Sequence, residues 1–183
     1  MRVIGTNIAD VKIIEPVVYG DARGFFFESF NEKQFAELTG ITDRFVQDNH
    51  SKSVRGVLRG LHYQINQAQG KLVRVVAGEV FDIVVDLRRR SATFGQHVAA
   101  TLSAENKKML WVPAGFAHGF LVTSGHAEFL YKTTDYYAPQ HERSLRWNDP
   151  ALKIDWPLSQ SGPPQLKPND ASAPLLAEAE TFA

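Results

Sequence analysis

The 183-residue sequence contains no cysteine, so it has neither a disulfide framework nor thiolate metal ligands, a composition that fits a reducing compartment. It also lacks a charge of one sign, because twenty Lys and Arg balance twenty Asp and Glu. No global field draws it to nucleic acid or an anionic membrane, and any bound anion must be held by a local cluster of cations. No stretch approaches the run of about 18 apolar residues that suggests a membrane helix. Met1 to Asp10 has no apolar segment of signal-peptide length, and no glycine-rich dinucleotide loop occurs. The expectation is a cytoplasmic protein with no nucleic-acid or membrane partner. It is expected to form one domain over residues 1–183, with an N-terminal strand extension and an irregular, partly helical C-terminal tail.

What is present is strand after strand. Val11 to Tyr19 is rich in Ile and Val, Gly20 to Gly24 reads as a turn, and Phe25-Phe26-Phe27 reads as an aromatic strand whose rings belong in the core. Arg23 and Glu28 flank that run. Asn31 through Leu38 predicts a helix, with Asn31 as N-cap, Gln34 three residues later and Gly40 as its stop. Further strands are predicted over Arg44–Asn49, Val57–Gln64, Lys71–Val76, Val80–Leu87, Gln96–Leu102, Met109–Val112, Gly119–Thr123 and Ala127–Thr133. Short strands with turn signals roughly every 8 to 12 residues point to a sandwich or barrel. The fold expected is an all-β jelly roll with a few short helices. Beyond it come a helical turn near Asn148 to Leu152, a proline-rich passage from Pro157 to Pro168, and a partly mobile tail after Pro174. Arg88-Arg89-Arg90 reads as a solvated turn.

Two stretches carry chemistry. Arg59-Gly60-Leu61-His62-Tyr63-Gln64 and Gly70-Lys71-Leu72-Val73-Arg74, read together as a β-hairpin, bring one histidine and three cations among apolar neighbours. Pro113-Ala114-Gly115-Phe116-Ala117-His118 brings a second histidine after a turn. A lone histidine on a strand is usually packed and a lone lysine solvated. Together, His62, Lys71 and His118 fall where a jelly roll turns side chains into one cavity, and burying cations together is costly unless an anion is expected there. The second stretch matches the Pro-x-Gly-x-x-His motif of cupin-type jelly rolls. The first matches the companion motif only in outline: Gln64 replaces its second histidine, and Lys71 stands seven residues before Gly78 where that motif has a ligand Glu. An ammonium has no lone pair for a metal, so no metal and no other cofactor is expected.

Five segments carry a more specific resemblance: Arg23-Gly24-Phe25-Phe26, Phe45 to Ser51, Arg59 to Gln64, Tyr131 to Tyr137, and Arg146-Trp147-Asn148-Asp149-Pro150. In this order, from about Ile13 to Leu176, the chain resembles the dTDP-4-dehydrorhamnose 3,5-epimerase family, cupin-fold enzymes of dTDP-rhamnose synthesis and so of lipopolysaccharide and O-antigen carbohydrate. The resemblance implies that His62 is the base taking a proton from sugar carbon and Tyr131 the acid returning one from the opposite face. The chemistry is consistent, because C3 and C5 of a 4-keto sugar flank the carbonyl and each C–H is acidified by delocalisation into an enolate. Lys71 is suited to stabilise that oxyanion. A carboxylate should fix the His62 tautomer; the resemblance nominates Asp170, and Asp82 is the alternative.

The resemblance also implies substrate contacts. Arg23 and Arg59 would grip the pyrophosphate, and Tyr137 would stack on thymine. Glu28 and Gln47-Asp48-Asn49 would line the nucleoside site, with His118 and Glu142 at further binding positions. Part of that site comes from a partner subunit, so a homodimer is implied. Where the family commonly reads Leu-Ser-x-Lys-Asp, this chain reads Leu166-Lys167-Pro168-Asn169-Asp170, which makes Lys167 the candidate for the missing lysine's contact. Three rivals are kept: a metal-dependent cupin dioxygenase or isomerase that would need His62, Gln64 and His118 to hold iron or zinc, an epimerase acting at a single carbon of a related dTDP-4-keto sugar, and a non-catalytic nucleotide-sugar binding cupin in which the tyrosines only stack.

Overall fold

The computed structural model describes residues 1–183, the side chains of Gln160 and Ser161 excepted. Its strands are β1 (Arg2–Gly5), β2 (Lys12–Glu15), β3 (Tyr19–Asp21), β4 (Gly24–Phe26), β5 (Gln47–Val54), β6 (Leu58–Gln64), β7 (Lys71–Ala77), β8 (Glu79–Asp86), β9 (His97–Ser103), β10 (Met109–Val112), β11 (Phe116–Val122), β12 (His126–Thr133) and β13 (Glu142–Ser144). The helices are α1 (Glu32–Thr39), α2 (Leu158–Ser161) and α3 (Pro168–Ala171). Two antiparallel sheets, ordered β1-β2-β10-β7-β12-β5 and β13-β6-β11-β8-β9, form the jelly roll, while β3 and β4 pair only with each other.

The alternation of each strand decides what fills the space between the sheets. Val73, Val75, Leu110 and Phe129 from the larger sheet meet Val80, Val84, Leu102, Phe120 and Val122 from the smaller one. The smaller sheet is covered on its outer face as well: Leu58, Leu61, Ile83, Val85 and Leu121 pack under Leu145, Leu152, Trp156 and Ala179 of the C-terminal segment. Burial on both faces explains why every residue of β11 is buried. On the outer face of the larger sheet, Leu72, Met109 and Trp111 pack against Phe35 of α1. The Asn31 side chain accepts from the Gln34 amide, and Gly40 ends α1 in the left-handed conformation at φ 74°, as its sequence predicts.

Several expectations are corrected. The stretch Val11 to Tyr19 is broken after Glu15, where Pro16 removes a backbone donor. β1, β13, α2 and α3 are too short to have carried a periodic signal. Near Asn148 to Leu152 the expected turn forms, closed by the Leu152 amide on the Asp149 carbonyl at 3.1 Å, but it does not extend into a helix. The Phe25–Phe27 run is not core: Phe25 and Phe26 are 63% and 68% exposed on the β3–β4 hairpin. Arg88 is not freely solvated, for its guanidinium pairs with buried Asp86 at 2.8 Å and lies over the Phe116 ring. The segment after Pro174 is tied to the barrel by hydrogen bonds from the Phe182 amide to the Leu87 carbonyl and from the Tyr63 hydroxyl to the Glu180 carbonyl.

β6 and β7 do not form a hairpin either. They lie in opposite sheets, so His62 and Lys71 face one another's walls across the barrel.

Candidate active site

Strand alternation aims the polar residues of one barrel end inward. Lys71 shares the inner face of β7 with core residues Val73 and Val75, and Tyr131 follows Phe129 on β12. Tyr131 pairs with Val73 on one side and Asn49 on the other, so these residues lie side by side on the larger sheet. In the smaller sheet, His118 lies between Phe116 and Phe120 on β11, and Asp82 between Val80 and Val84 on β8. β6 needs a special device, because Arg59 and His62 are three residues apart and strict alternation would put them on opposite faces. A bulge resolves this: His62 pairs with His118 and Arg59 with Phe120, so three steps on β6 match two on β11. Gly60, at φ 126°, makes the bulge possible, since a Cβ there would sit 2.6 Å from the Gly119 Cα.

The result is a cavity of about 360 Å³ lined by Gln47, Asn49, Arg59, His62, Lys71, His118, Tyr131, Tyr137, Glu142 and Lys167. All were nominated from sequence. Ser51, Gln69, Phe120 and Phe129 also line it and were missed. Ser51, Phe120 and Phe129 each stand two positions from a nominated residue on the same strand, so alternation could have found them; Gln69, in a loop, left no such signal. A second cavity of about 220 Å³ on the outer face of the larger sheet contains no histidine.

Each histidine is backed by a carboxylate. His62 Nε2 lies 2.7 Å from Asp170 Oδ1, and because a carboxylate only accepts, Nε2 carries the hydrogen and leaves the lone pair on Nδ1. Asp170 sits in α3, where its other oxygen accepts from the Gly60 amide at 3.2 Å and Lys167 Nζ approaches to 3.7 Å. Burial pushes the Asp170 carboxyl up, but His62, the Gly60 amide and Lys167 outweigh it and hold it below the usual range. His118 Nε2 contacts both oxygens of Asp82, at 2.9 and 3.0 Å. Asp82 therefore partners His118, and the choice left open for His62 falls to Asp170.

On the opposite wall, burial lowers the Lys71 ammonium to about 8, with Glu142 and Asp82 acting in the other direction. Burial raises the Tyr131 phenol, with Arg59 opposing and Glu142 and Tyr137 adding to the rise, so Tyr131 keeps its proton through the neutral range. At the mouth, the Tyr137 hydroxyl donates to Glu142 at 3.3 Å and the Tyr137 amide donates to Gln47 Oε1 at 3.0 Å. Gln64 is structural: its side chain donates to the Gln67 and Tyr136 carbonyls and accepts from the Ala138 amide, pinning the loop that carries Tyr137.

Asp170 and Asp82 stand behind the cavity wall, each reaching it through its histidine. Three further nominated residues lie outside the cavity within one chain. Asp48 alternates to the outer face of β5, where Lys132 pairs with it at 3.0 Å. Arg23 is exposed on the β3–β4 hairpin and ion-paired to Asp21. Glu28 is exposed nearby and accepts from Asn31 at 3.1 Å.

Among the described residues no three His, Cys, Asp or Glu side chains converge as they would around a metal ion, and Lys71 stands where the cupin motif has a ligand. The fold and the cavity define a cupin-type jelly roll equipped for acid–base chemistry, with two histidine–carboxylate pairs, a half-buried ammonium and a phenol facing one space. A model of the family described as dTDP-4-dehydrorhamnose 3,5-epimerase matches residues 5–178, and the chain belongs to that family. The dTDP-4-dehydrorhamnose 3,5-epimerase of Pseudomonas aeruginosa is 61% identical over 182 residues, covering 100% of this chain and 99% of the relative. That of Salmonella typhimurium is 60% identical over 180 residues, covering 98% and 97%. The crystal structure of dTDP-6-deoxy-D-glucose-3,5-epimerase from Legionella pneumophila, in complex with dTDP-4-keto-L-rhamnose, superimposes with a TM-score of 0.95 at 59% identity, covering 98% of this chain and 94% of that one.

Proposed function

We propose that this chain inverts C3 and C5 of dTDP-4-dehydro-6-deoxy-D-glucose to give dTDP-4-dehydro-L-rhamnose. The observation that carries this reading is the opposition of base and acid: His62 stands on the smaller sheet and Tyr131 on the larger, with the cavity between them. A sugar ring held there presents one face to each. His62 Nδ1 takes the proton from carbon, and the C–H electron pair moves into the enolate, its charge falling on the C4 oxygen. Lys71, charged below about pH 8, stabilises that charge more than it does the neutral ketone. Tyr131 then gives its phenolic proton to the other face of the carbon and the ketone re-forms. Asp170 supports the imidazolium meanwhile, and solvent resets both groups between rounds. Arg59 and Lys167 supply local positive charge for the pyrophosphate, and Tyr137 with Gln47, Asn49 and Glu142 receives the nucleoside.

The same reading makes the working unit a homodimer. The β3–β4 hairpin leaves Tyr19, Phe25 and Phe26 exposed, and covering a ring of that size contributes about 2 kcal/mol. A second copy seated against the hairpin would cover these rings and bring Arg23 and Glu28 to its own cavity. Among the described residues no helix is long and apolar enough to cross a membrane, and the reading places the enzyme in the cytoplasm with its nucleotide-sugar substrate. Incubating the protein with dTDP-4-dehydro-6-deoxy-D-glucose in deuterated water tests the reaction. Deuterium at C3 and C5 of inverted product is expected. Inversion and exchange at one carbon would make it a single-carbon epimerase, and saturable binding with no exchange would make it a binding module.

A further inference from the structure

His62 and Asp170 enter the proposed reaction directly, but the second histidine–carboxylate pair does not, and its carboxylate is the more deeply placed. Asp82 has no exposed surface, whereas His118 in front of it lines the cavity. Among the described residues, the only side chain hydrogen-bonded to the Asp82 carboxylate is His118, which meets both oxygens. A carboxylate in the middle of an apolar strand is costly to bury, and Val80, Ile83, Val84 and Val85 around it could have been joined by one more aliphatic residue. The arrangement therefore calls for a role beyond packing.

We propose that Asp82 is a positioning residue for the epimerisation, locking the His118 imidazole through its Nε2–H so that the ring keeps one orientation in the cavity wall. The inference rests on the reaction proposed above and adds a residue to it. Because Nε2–H is committed to Asp82, only Nδ1 of His118 remains to meet a ligand, so the ring presents one defined edge. Burial pushes the Asp82 carboxyl up, and His118 with its hydrogen bond, together with Lys71, opposes the rise.

Asp82→Asn keeps an oxygen that can accept from His118 Nε2–H, whereas Asp82→Leu fills the space and removes the acceptor. Nitrogen NMR of histidine-labelled protein reads the lock: the neutral His118 ring should carry its proton on Nε2 in the native protein and in Asp82→Asn, and lose that preference in Asp82→Leu. In Asp82→Leu kcat should fall about tenfold, the loss of one hydrogen bond that orients the ring, and in Asp82→Asn it should fall less. A folded Asp82→Leu protein with native kcat would overturn the proposal, and if that variant does not fold, a neutral native His118 ring protonated on Nδ1 alone would overturn it. Native protein that exchanges no sugar protons counts against the reaction itself, whereas native kcat in Asp82→Leu counts against Asp82 only.

Discussion

Inside the barrel, Phe120 and Phe129 stack at 4.3 Å and are buried, and Arg59 and Lys71 face a lined cavity. On the β3–β4 hairpin, the same residue types stand in the open: Tyr19, Phe25 and Phe26 exposed, with Arg23 ion-paired to Asp21 of the same hairpin. The two regions differ in what pairs with them. β12 is hydrogen-bonded on both sides, by β5 and β7, so its alternation must resolve into an inner and an outer face. β3 and β4 have only each other, and an isolated two-stranded ribbon of three residues a side has no core to face. Aromatic content therefore marks apolar surface, and pairing decides whether this chain buries it. In the proposed reaction the barrel performs the chemistry, and the hairpin serves binding and assembly.

The strongest attack on that division is Lys71→Met. Loss of one preorganised oxyanion partner should lower kcat by about 10³, with binding of dTDP retained. The same change should raise the midpoint of urea denaturation at pH 7, because burying an ammonium is costly and a thioether of similar length is not. Folding lowers the Lys71 pKa from 10.5 to about 8, so between those values the unfolded chain binds the extra proton and native stability rises with pH. The stability gap between Lys71→Met and native protein should therefore be widest below pH 8 and close toward pH 10.5. A gap that does not narrow would contradict the burial assigned to Lys71.

A smaller effect is expected at the hairpin. Arg23→Ala should raise KM about tenfold, the loss of one charge-assisted contact, and change kcat little. A fall in kcat with unchanged KM would move Arg23 from grip to chemistry and break the comparison. Smaller still in activity, though direct in assembly, is Phe26→Asp. Placing a charge on the exposed ring position should shift sedimentation toward monomer without lowering the melting temperature of the barrel. Sedimentation unchanged from the native protein would remove the hairpin from the dimer interface.

Much of the barrel could be read from alternation. β10 matches its expected span, and β7, β8, β9 and β12 shift by a residue or so. The two lining histidines and Lys71 were legible because cupin-like spacing marks them. What escaped depends on pairing between distant segments. Asp170 meets His62 across 108 residues of sequence, and nothing local separates it from Asp82 as a partner. The β6 bulge, which brings Arg59 and His62 to one face, is set by the approach of Gly60 to Gly119 rather than by any period. Asp48 was grouped with Gln47 and Asn49 as a continuous motif, although alternation alone sends it outward. The hairpin was misjudged for the opposite reason: its hydrophobicity was legible, and its lack of a packing partner within this chain was not.

Base and acid acting from opposite walls leave a signature in deuterium exchange into the 4-keto sugar, which tests the proposed reaction most directly. The variants are His62→Ala and Tyr131→Phe, with folding confirmed and dTDP binding measured beforehand. In His62→Ala no enolate forms, so neither exchange nor inversion should exceed the spontaneous background. In Tyr131→Phe the ring still packs and only the phenolic proton is gone, so proton abstraction continues. The carbon then takes deuterium back mainly from the His62 side, giving exchange with retained configuration. Mass spectrometry and proton NMR of the recovered sugar read both quantities. Exchange without full inversion in Tyr131→Phe, and neither in His62→Ala, is the predicted pattern; native-rate exchange in His62→Ala, or full inversion at native rate in Tyr131→Phe, would contradict it.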